Sequence, residues 1–364
     1  MKRRTQWQLV RGALFFVLLS LSLSAELGAE TSVLPLVDRP GACRYCEVVA
    51  EVFAAARTSI DLLLSNAQLE ENPLWETLLA AAARGVRIRV LLDASDWSPS
   101  ITEKNRPAIT FLNEHGIDAR FDDPAVTTHA KLAIVDREIV VLGSTNWNHY
   151  AFTEQEQANV RVEDRTVGDV FSEYFNRLWA GTLSPGGIVF TCDPLDTSEP
   201  LLIPIPDTVD TANYADLLLE LLHRAERSIH GAMYRISYYP AYRGSLSNEI
   251  LAALVDAAGR GLDVKILVDD CAFYPDSAEA NLEAALYLYL HGIDVRMDDP
   301  SDTMHAKLVI IDGETVLLGS TNWNYYALEQ NNEADLALVR LPEIARVYEQ
   351  YFRVLWEAGR ELTR

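Results

Sequence analysis

The sequence is short of positive charge, of cysteine and of long apolar runs. Of its 364 residues only 31 are Lys or Arg, against 53 Asp or Glu, for a formal net charge of −22. That deficit argues against a protein held on nucleic acid mainly by a basic surface, yet it leaves room for a small positive pocket in an acidic body. Four cysteines are too few for a disulfide-dense scaffold. Beyond the N-terminus no apolar run is long enough to read as a membrane span. What is present, 49% hydrophobic and 23% charged residues, is a globular balance.

The N-terminus carries Lys2, Arg3 and Arg4, then an apolar run from about Leu9 to Leu23, then the small residues Ser24 and Ala25. A basic start, a short apolar stretch and a small-residue site form a secretory signal peptide, here residues 1–25. The expectation is export, to the periplasm or the medium. Export permits disulfides. Cys43-Arg44-Tyr45-Cys46 is read as a local bridge, with free thiols as the alternative, and Cys192 and Cys271 have no assigned partner.

The remainder is written twice. His129-Ala-Lys131-Leu-Ala-Ile-Val-Asp136 recurs as His305-Ala-Lys307-Leu-Val-Ile-Ile-Asp312, an offset of 176. The same offset carries Asp93 onto Asp269, His115-Gly116 onto His291-Gly292, and Gly143-Ser144-Thr145-Asn146-Trp147-Asn148 onto Gly319-Ser320-Thr321-Asn322-Trp323-Asn324. So long a period marks a duplicated domain rather than a solenoid. Between 129 and 148 the copies differ only at 133, 135, 137, 139 and 141. Differences confined to alternate positions fit β-strands with one face held and the other free to drift. Each copy reads as a mixed α/β unit: a first domain over 31–180, a linker over 181–210 and a second domain over 211–364. The second copy carries seven extra residues after its first strand. That segment holds Tyr234, Arg235, Tyr238, Tyr239, Tyr242 and Arg243, and it reads either as a substrate rim or membrane-touching lip or as an ordinary packed loop.

A His and a Lys two apart on a strand set a nucleophile or proton carrier beside a fixed positive charge. Two such pairs facing one cleft, with Ser144, Asn146, Ser320 and Asn322 as neutral donors, suit the oxygens of a phosphate. Two histidines suit a two-step displacement, one attacking phosphorus and one protonating the leaving oxygen. Neither a metal nor another cofactor is required. Asp136 and Asp312 end their strands and read either as site residues or as turn formers. Trp147 and Trp323 read as core aromatics, and His115 and His291 as helix ends before glycine.

These residues, His129/Lys131/Asp136 and His305/Lys307/Asp312, each followed by Gly-Ser-x-Asn, resemble the HxK(x)4D(x)6GSxN signature of the phospholipase D superfamily. The resemblance implies two tandem phospholipase D-like domains, each a mixed β-sheet flanked by helices, related by a pseudo-two-fold axis. It implies a metal-independent phosphodiesterase working through a phosphohistidine, with His129, Lys131, Asp136, His305, Lys307, Asp312 and Glu333 as catalytic candidates. In the superfamily an acidic residue downstream of each motif orients its histidine. Glu333 stands where the partner of His305 is expected, and Gln157, with Glu156 beside it, stands at the matching place for His129. On that pairing His129 would be the readier nucleophile and His305 the readier acid. A phospholipid is the first expected substrate, with peripheral membrane contact and a monomeric chain. Nucleic acid comes second, and a silent phosphate- or lipid-binding module is the non-enzymatic alternative. A cardiolipin synthase is less favoured, because it would normally bring membrane spans.

Overall fold

The computed structural model describes residues 31–96, 99–182, 199–270 and 274–362. The signal segment 1–25, Cys192, Cys271, Trp97, Phe273 and most of the linker lie outside the described residues. The first half runs β1 (Ser32–Asp38), α1 (Arg44–Ala55), β2 (Ser59–Leu64), α2 (Leu74–Ala83), β3 (Arg87–Leu92), α3 (Pro99–Glu114), β4 (Asp118–Phe121), β5 (Lys131–Val135), β6 (Ile139–Gly143), α4 (His149–Thr153), β7 (Gln155–Glu163) and α5 (Arg165–Ala180). The second repeats that order. It runs β8 (Leu201–Asp207), α6 (Asn213–Arg224), β9 (Ser228–Met233), α7 (Leu246–Gly259), β10 (Asp263–Val268), α8 (Pro275–Leu290) and β11 (Asp294–Met297). It continues through β12 (Thr303–Met304), β13 (Lys307–Ile311), β14 (Thr315–Gly319), α9 (Tyr325–Glu329), β15 (Glu333–Val339), α10 (Pro342–Ala358) and β16 (Arg360–Glu361).

Each half forms one mixed sheet, ordered β1-β7-β6-β5-β2-β3-β4 in the first and β16-β11-β10-β9-β13-β14-β15-β8 in the second. The linker is shorter than 181–210, because Leu201–Asp207 already pairs antiparallel with β15 as a strand of the second sheet. Proline at 204 and 206 is tolerated there because β8 is the edge strand. Sequence reading missed β1 and β8, whose internal prolines (Pro35, Pro204 and Pro206) argue against a strand, and missed α1 and α6 behind them.

The alternating drift has a packing cause. Leu132, Ile134, Val140 and Leu142 face a core shared with Leu308, Ile310, Val316 and Leu318 of the other half. Ala133, Val135 and Val141 face a separate core beneath α1, α2 and α3. The face that is identical in the two copies is the one where the two halves meet, since a change there disturbs both copies. Helices α5 and α10 lie in that shared layer, through Phe171, Phe175, Tyr348 and Phe352. Tyr348 donates across it to the Asn159 carbonyl at 2.6 Å, and Tyr174 to the Asp207 carbonyl at 2.7 Å.

Cys43 and Cys46 are bridged at the start of α1. Trp147 and Trp323 are fully buried, their indole N–H groups on Tyr45 and Tyr214. His115 and His291 each bond, through Nδ1, the carbonyl four residues earlier at 2.7 Å, closing α3 and α8. No helix among the described residues is long and apolar enough to cross a membrane.

Candidate active site

The two halves are stitched together at the residues that carry the motif. The backbone N–H of His129 donates to the Asn332 carbonyl at 2.9 Å, and that of His305 to the Glu156 carbonyl at 2.9 Å. Strand β12 pairs in parallel with β7, Thr303 opposite Gln155 and Met304 opposite Glu156. Each histidine therefore precedes its strand, in an extended segment held by the opposite half. A second clasp comes from the end of the third strand of each half. Asp93 accepts the Thr128 N–H at 2.7 Å, and Asp269 accepts the Met304 N–H at 2.7 Å. These carboxylates fix the residue before each histidine. The repeat displayed Asp93 and Asp269, but nothing in their spacing gave them this role.

The partners of the imidazoles are exchanged relative to the sequence expectation. Glu333 holds His129, with Nδ1 3.0 and 3.1 Å from its two carboxylate oxygens. His305 Nδ1 lies 3.0 Å from the Ser144 carbonyl and 3.3 Å from Gln157 Oε1. The pairing of Glu333 with His305, and of Gln157 with His129, is thus corrected, because β7 of the first half and β15 of the second each feed the histidine of the other half. Glu156 does not stand in for a missing carboxylate; its side chain takes Arg39 at 3.2 Å.

Lys131 and Lys307 are almost wholly buried. Lys131 Nζ bonds the carbonyl of His129, and Lys307 Nζ that of His305 at 2.6 Å. Lys307 also lies over the Tyr234 ring, 4.6 Å from its centroid. Burial pulls both imidazoles below the usual histidine range. For His129 the Glu333 carboxylate opposes that pull; for His305 the positive Lys307 and Lys131, together with His129, add to it. Charges from both halves therefore act on one imidazole, as a single shared site requires. Burial also brings the Lys131 ammonium down to about 8, against the pull of Glu333, Asp93 and Asp335.

Ser144 and Ser320 do not offer their hydroxyls to the cleft. Both are fully buried, Ser144 donating to Gln157 at 2.7 Å and Ser320 to Glu333 at 2.5 Å. Their expected role on phosphate is corrected to orienting the side chains that orient the histidines. The glycine before each serine allows this close crossing: a Cβ on Gly319 would stand 2.5 Å from the Asp335 Cα. Asn146 and Asn322 differ, each keeping a buried Oδ1 with no hydrogen-bond partner. Asp136 and Asp312 are corrected as well. They lie at the far end of β5 and β13 from the histidines, at positive φ, and bind backbone N–H groups. Asp136 takes those of Arg57, Thr58 and Ser59, and Asp312 those of Glu226, Arg227 and Ser228. They pin the entry of β2 and β9.

Residues 49–179 and 218–356 match the family described as cardiolipin synthase, PLD-like domain. The chain belongs to the phospholipase D superfamily. Cardiolipin synthase A of Salmonella arizonae is 25% identical over 299 residues, which cover 72% of this chain and 57% of that protein. The chain thus spans little more than half the length of the curated relatives it matches. Phosphatidylserine synthase of Haemophilus influenzae shares the fold with a TM-score of 0.71 at 14% identity, over 93% of this chain and 88% of that one. Polyphosphate kinase of Porphyromonas gingivalis does so at 0.57 and 16%, over 90% and 50%. These two likenesses speak to the fold. Within the phospholipase D-like fold of this chain, Glu333 is the one carboxylate among the described residues that bonds a motif histidine. No group of three or more His, Cys, Asp or Glu among them is arranged to hold a metal ion.

Proposed function

We propose that the chain is a metal-independent enzyme that cleaves the phosphodiester of a phospholipid through a phosphohistidine on His129. The observation that carries this is the shared site, with two histidines, two buried lysines and one carboxylate on His129 alone. His129 Nε2 attacks phosphorus, and a nitrogen–phosphorus bond forms as the bond to the leaving oxygen breaks. His305 gives its proton to that oxygen. Positive charge develops on the attacking imidazole, so the ring whose Nδ1–H points at Glu333 is the one suited to attack. The nucleophile inferred from sequence is retained, on the opposite ground from the expected pairing. His305, poised well below the usual histidine range, is a strong acid once the phosphate anion beside it stabilises its charged form. Lys131, Lys307, Asn146 and Asn322 surround the non-bridging oxygens. An incoming hydroxyl then gives its proton to His305 and its oxygen to phosphorus, and His129 leaves.

A lipid substrate is supported by the curated cardiolipin synthase relatives and by exposed tyrosines in the second half, Tyr242, Tyr274 and Tyr326. Tyrosine suits a membrane–water boundary, with an apolar ring and a polar tip. Transfer to an alcohol in place of water is a second reading, favoured by the same relatives. Export remains part of the proposal, resting on the N-terminal segment. The test is one panel in EDTA: phosphatidylcholine, phosphatidylglycerol, cardiolipin, DNA and a bis-aryl phosphodiester, with and without added glycerol. Release of phosphatidic acid or a transphosphatidylation product supports the reading. Cleavage of DNA alone, or loss of all activity in EDTA with recovery on adding Mg²⁺ or Zn²⁺, contradicts it.

A further inference from the structure

Buried polar atoms without partners are uncommon in a folded protein, and each needs an explanation. Here several fall at matching positions of the two halves. One matched pair is Asn146 and Asn322, already placed around the phosphate. Another is Asn66 and Arg235, where Asn66 Oδ1 and Arg235 Nε are both buried without a partner. Their places in the two halves are equivalent. Ser65 N donates to the Ala130 carbonyl and Trp147 N to the Asn66 carbonyl; Tyr234 N donates to the Ala306 carbonyl and Trp323 N to the Arg235 carbonyl. Both residues thus sit between the His-x-Lys segment and the Asn-Trp turn of their own half. The residue before Arg235, Tyr234, packs its ring 4.6 Å from that of His305 and stands beside Lys307.

The first half places an amide at this position and the second half a cation. Arg235 is partly exposed and finds no carboxylate partner among the described residues, in a chain with 53 acidic residues. A guanidinium held back from such neighbours, at the edge of a phosphate site, is arranged for an anion that arrives from outside. We propose that Arg235 forms a subsite for a second phosphate of the substrate, one linker away from the scissile phosphorus and on the His305 side. This rests on the lipid phosphodiester reading and narrows it to headgroups that carry a further anionic phosphate. The position on the His305 side places that phosphate in the leaving group, which His305 protonates.

The test reads binding, so that it does not depend on turnover. Titration calorimetry at pH 7 and low salt compares glycerol 3-phosphate with glycerol 1,3-bisphosphate on the full chain, on R235Q and on R235K. The wild type should bind the bisphosphate about 10-fold more tightly, the size of one partly screened charge-assisted contact. The preference should shrink to within about twofold in R235Q and survive largely in R235K, which keeps the charge. No preference in the wild type, or an equal preference in R235Q, overturns the subsite. Thymidine 3′-phosphate and thymidine 3′,5′-bisphosphate form a second arm. A gain confined to the nucleotide pair overturns the lipid headgroup in favour of nucleic acid. If no lipid is cleaved while the glycerol preference and its loss in R235Q are both seen, the subsite stands and the proposed activity alone fails.

Discussion

Glu333 and His129 lie 204 residues apart in the chain and 3.0 Å apart in the structure. The contact crosses from the start of β15 in the second half to the motif of the first. Its pseudo-symmetric counterpart, Gln157 on His305, lacks the charge. One site thus holds two histidines of the same sequence context in different electrostatic company, and most of the behaviour expected of the enzyme follows from that difference.

A shared site requires both histidines. His129→Ala and His305→Ala should each lower turnover by roughly 10³-fold or more, because attack and proton transfer act on one phosphorus. Steady-state rates of the purified variants decide the point. About half the activity in each would mean two independent sites.

The exchange of partners gives two opposite shifts in the pH–rate profile. Glu333 opposes the lowering of the His129 pKa, so Glu333→Gln should move it lower still. A nucleophile must be neutral, so the acidic limb should move to lower pH, with kcat reduced by roughly 10²–10⁴-fold through loss of ring orientation and charge stabilisation. Gln157→Glu should raise the pKa of His305, which must be protonated to act. Its alkaline limb should therefore move to higher pH, while the acidic limb stays. Movement of the acidic limb with Gln157→Glu would return that residue to His129.

The sequence disclosed the duplication, the fold class and the His-x-Lys pairs, because each is written locally and twice. Strand β2 was legible to the residue, and the α5 boundary nearly so, since Asp164 caps it and Gly181 closes it. The partners of the histidines were not legible. Which histidine Glu333 reaches depends on how β12 docks along β7, a contact between segments about 150 residues apart that no periodicity encodes. Ser144 and Asn146 look alike as neutral donors in a sequence. Only the crossing of Gly143 over β7 turns the first inward and leaves the second without a partner.

Asp136 is a structural clamp. Asp136→Ala leaves the N–H groups of Arg57, Thr58 and Ser59 without their acceptor and should cost about 1–3 kcal/mol of stability. Its hydrogen bonds outweigh burial and hold the carboxyl below the usual aspartate range, so its share of stability is present above the ordinary value and fades as pH falls through the lowered one. Urea unfolding measures the loss. Turnover per folded molecule should stay within about twofold of wild type, since no reacting group is touched.

A further pH dependence sits away from the cleft. His230 on β9 lies between Glu349 of α10, 2.9 Å from Nδ1, and Asp263 of β10, 3.4 Å from Nε2; Lys265 beside Asp263 opposes its charge, and Phe352 stacks on the ring. Burial disfavours the charged ring, but the two carboxylates win and raise its pKa above 6.5. That contribution is fully present below the ordinary value and is lost as pH rises through the raised one. The stability difference between wild type and His230→Gln should therefore narrow as pH rises from 6 to 8.5. A difference constant across that range would remove the ion-pair account.

The central claim is a covalent phosphohistidine on His129, formed in a site that both halves build. The measurement that bears on it most directly is to quench the enzyme in alkali during turnover of a slow phosphodiester, digest it and locate the phosphorylated peptide. Phosphate on the peptide carrying His129, absent from the Glu333→Gln variant or much reduced there, is the predicted result. Phosphate on the peptide carrying His305, or none on either histidine under turnover, would contradict it.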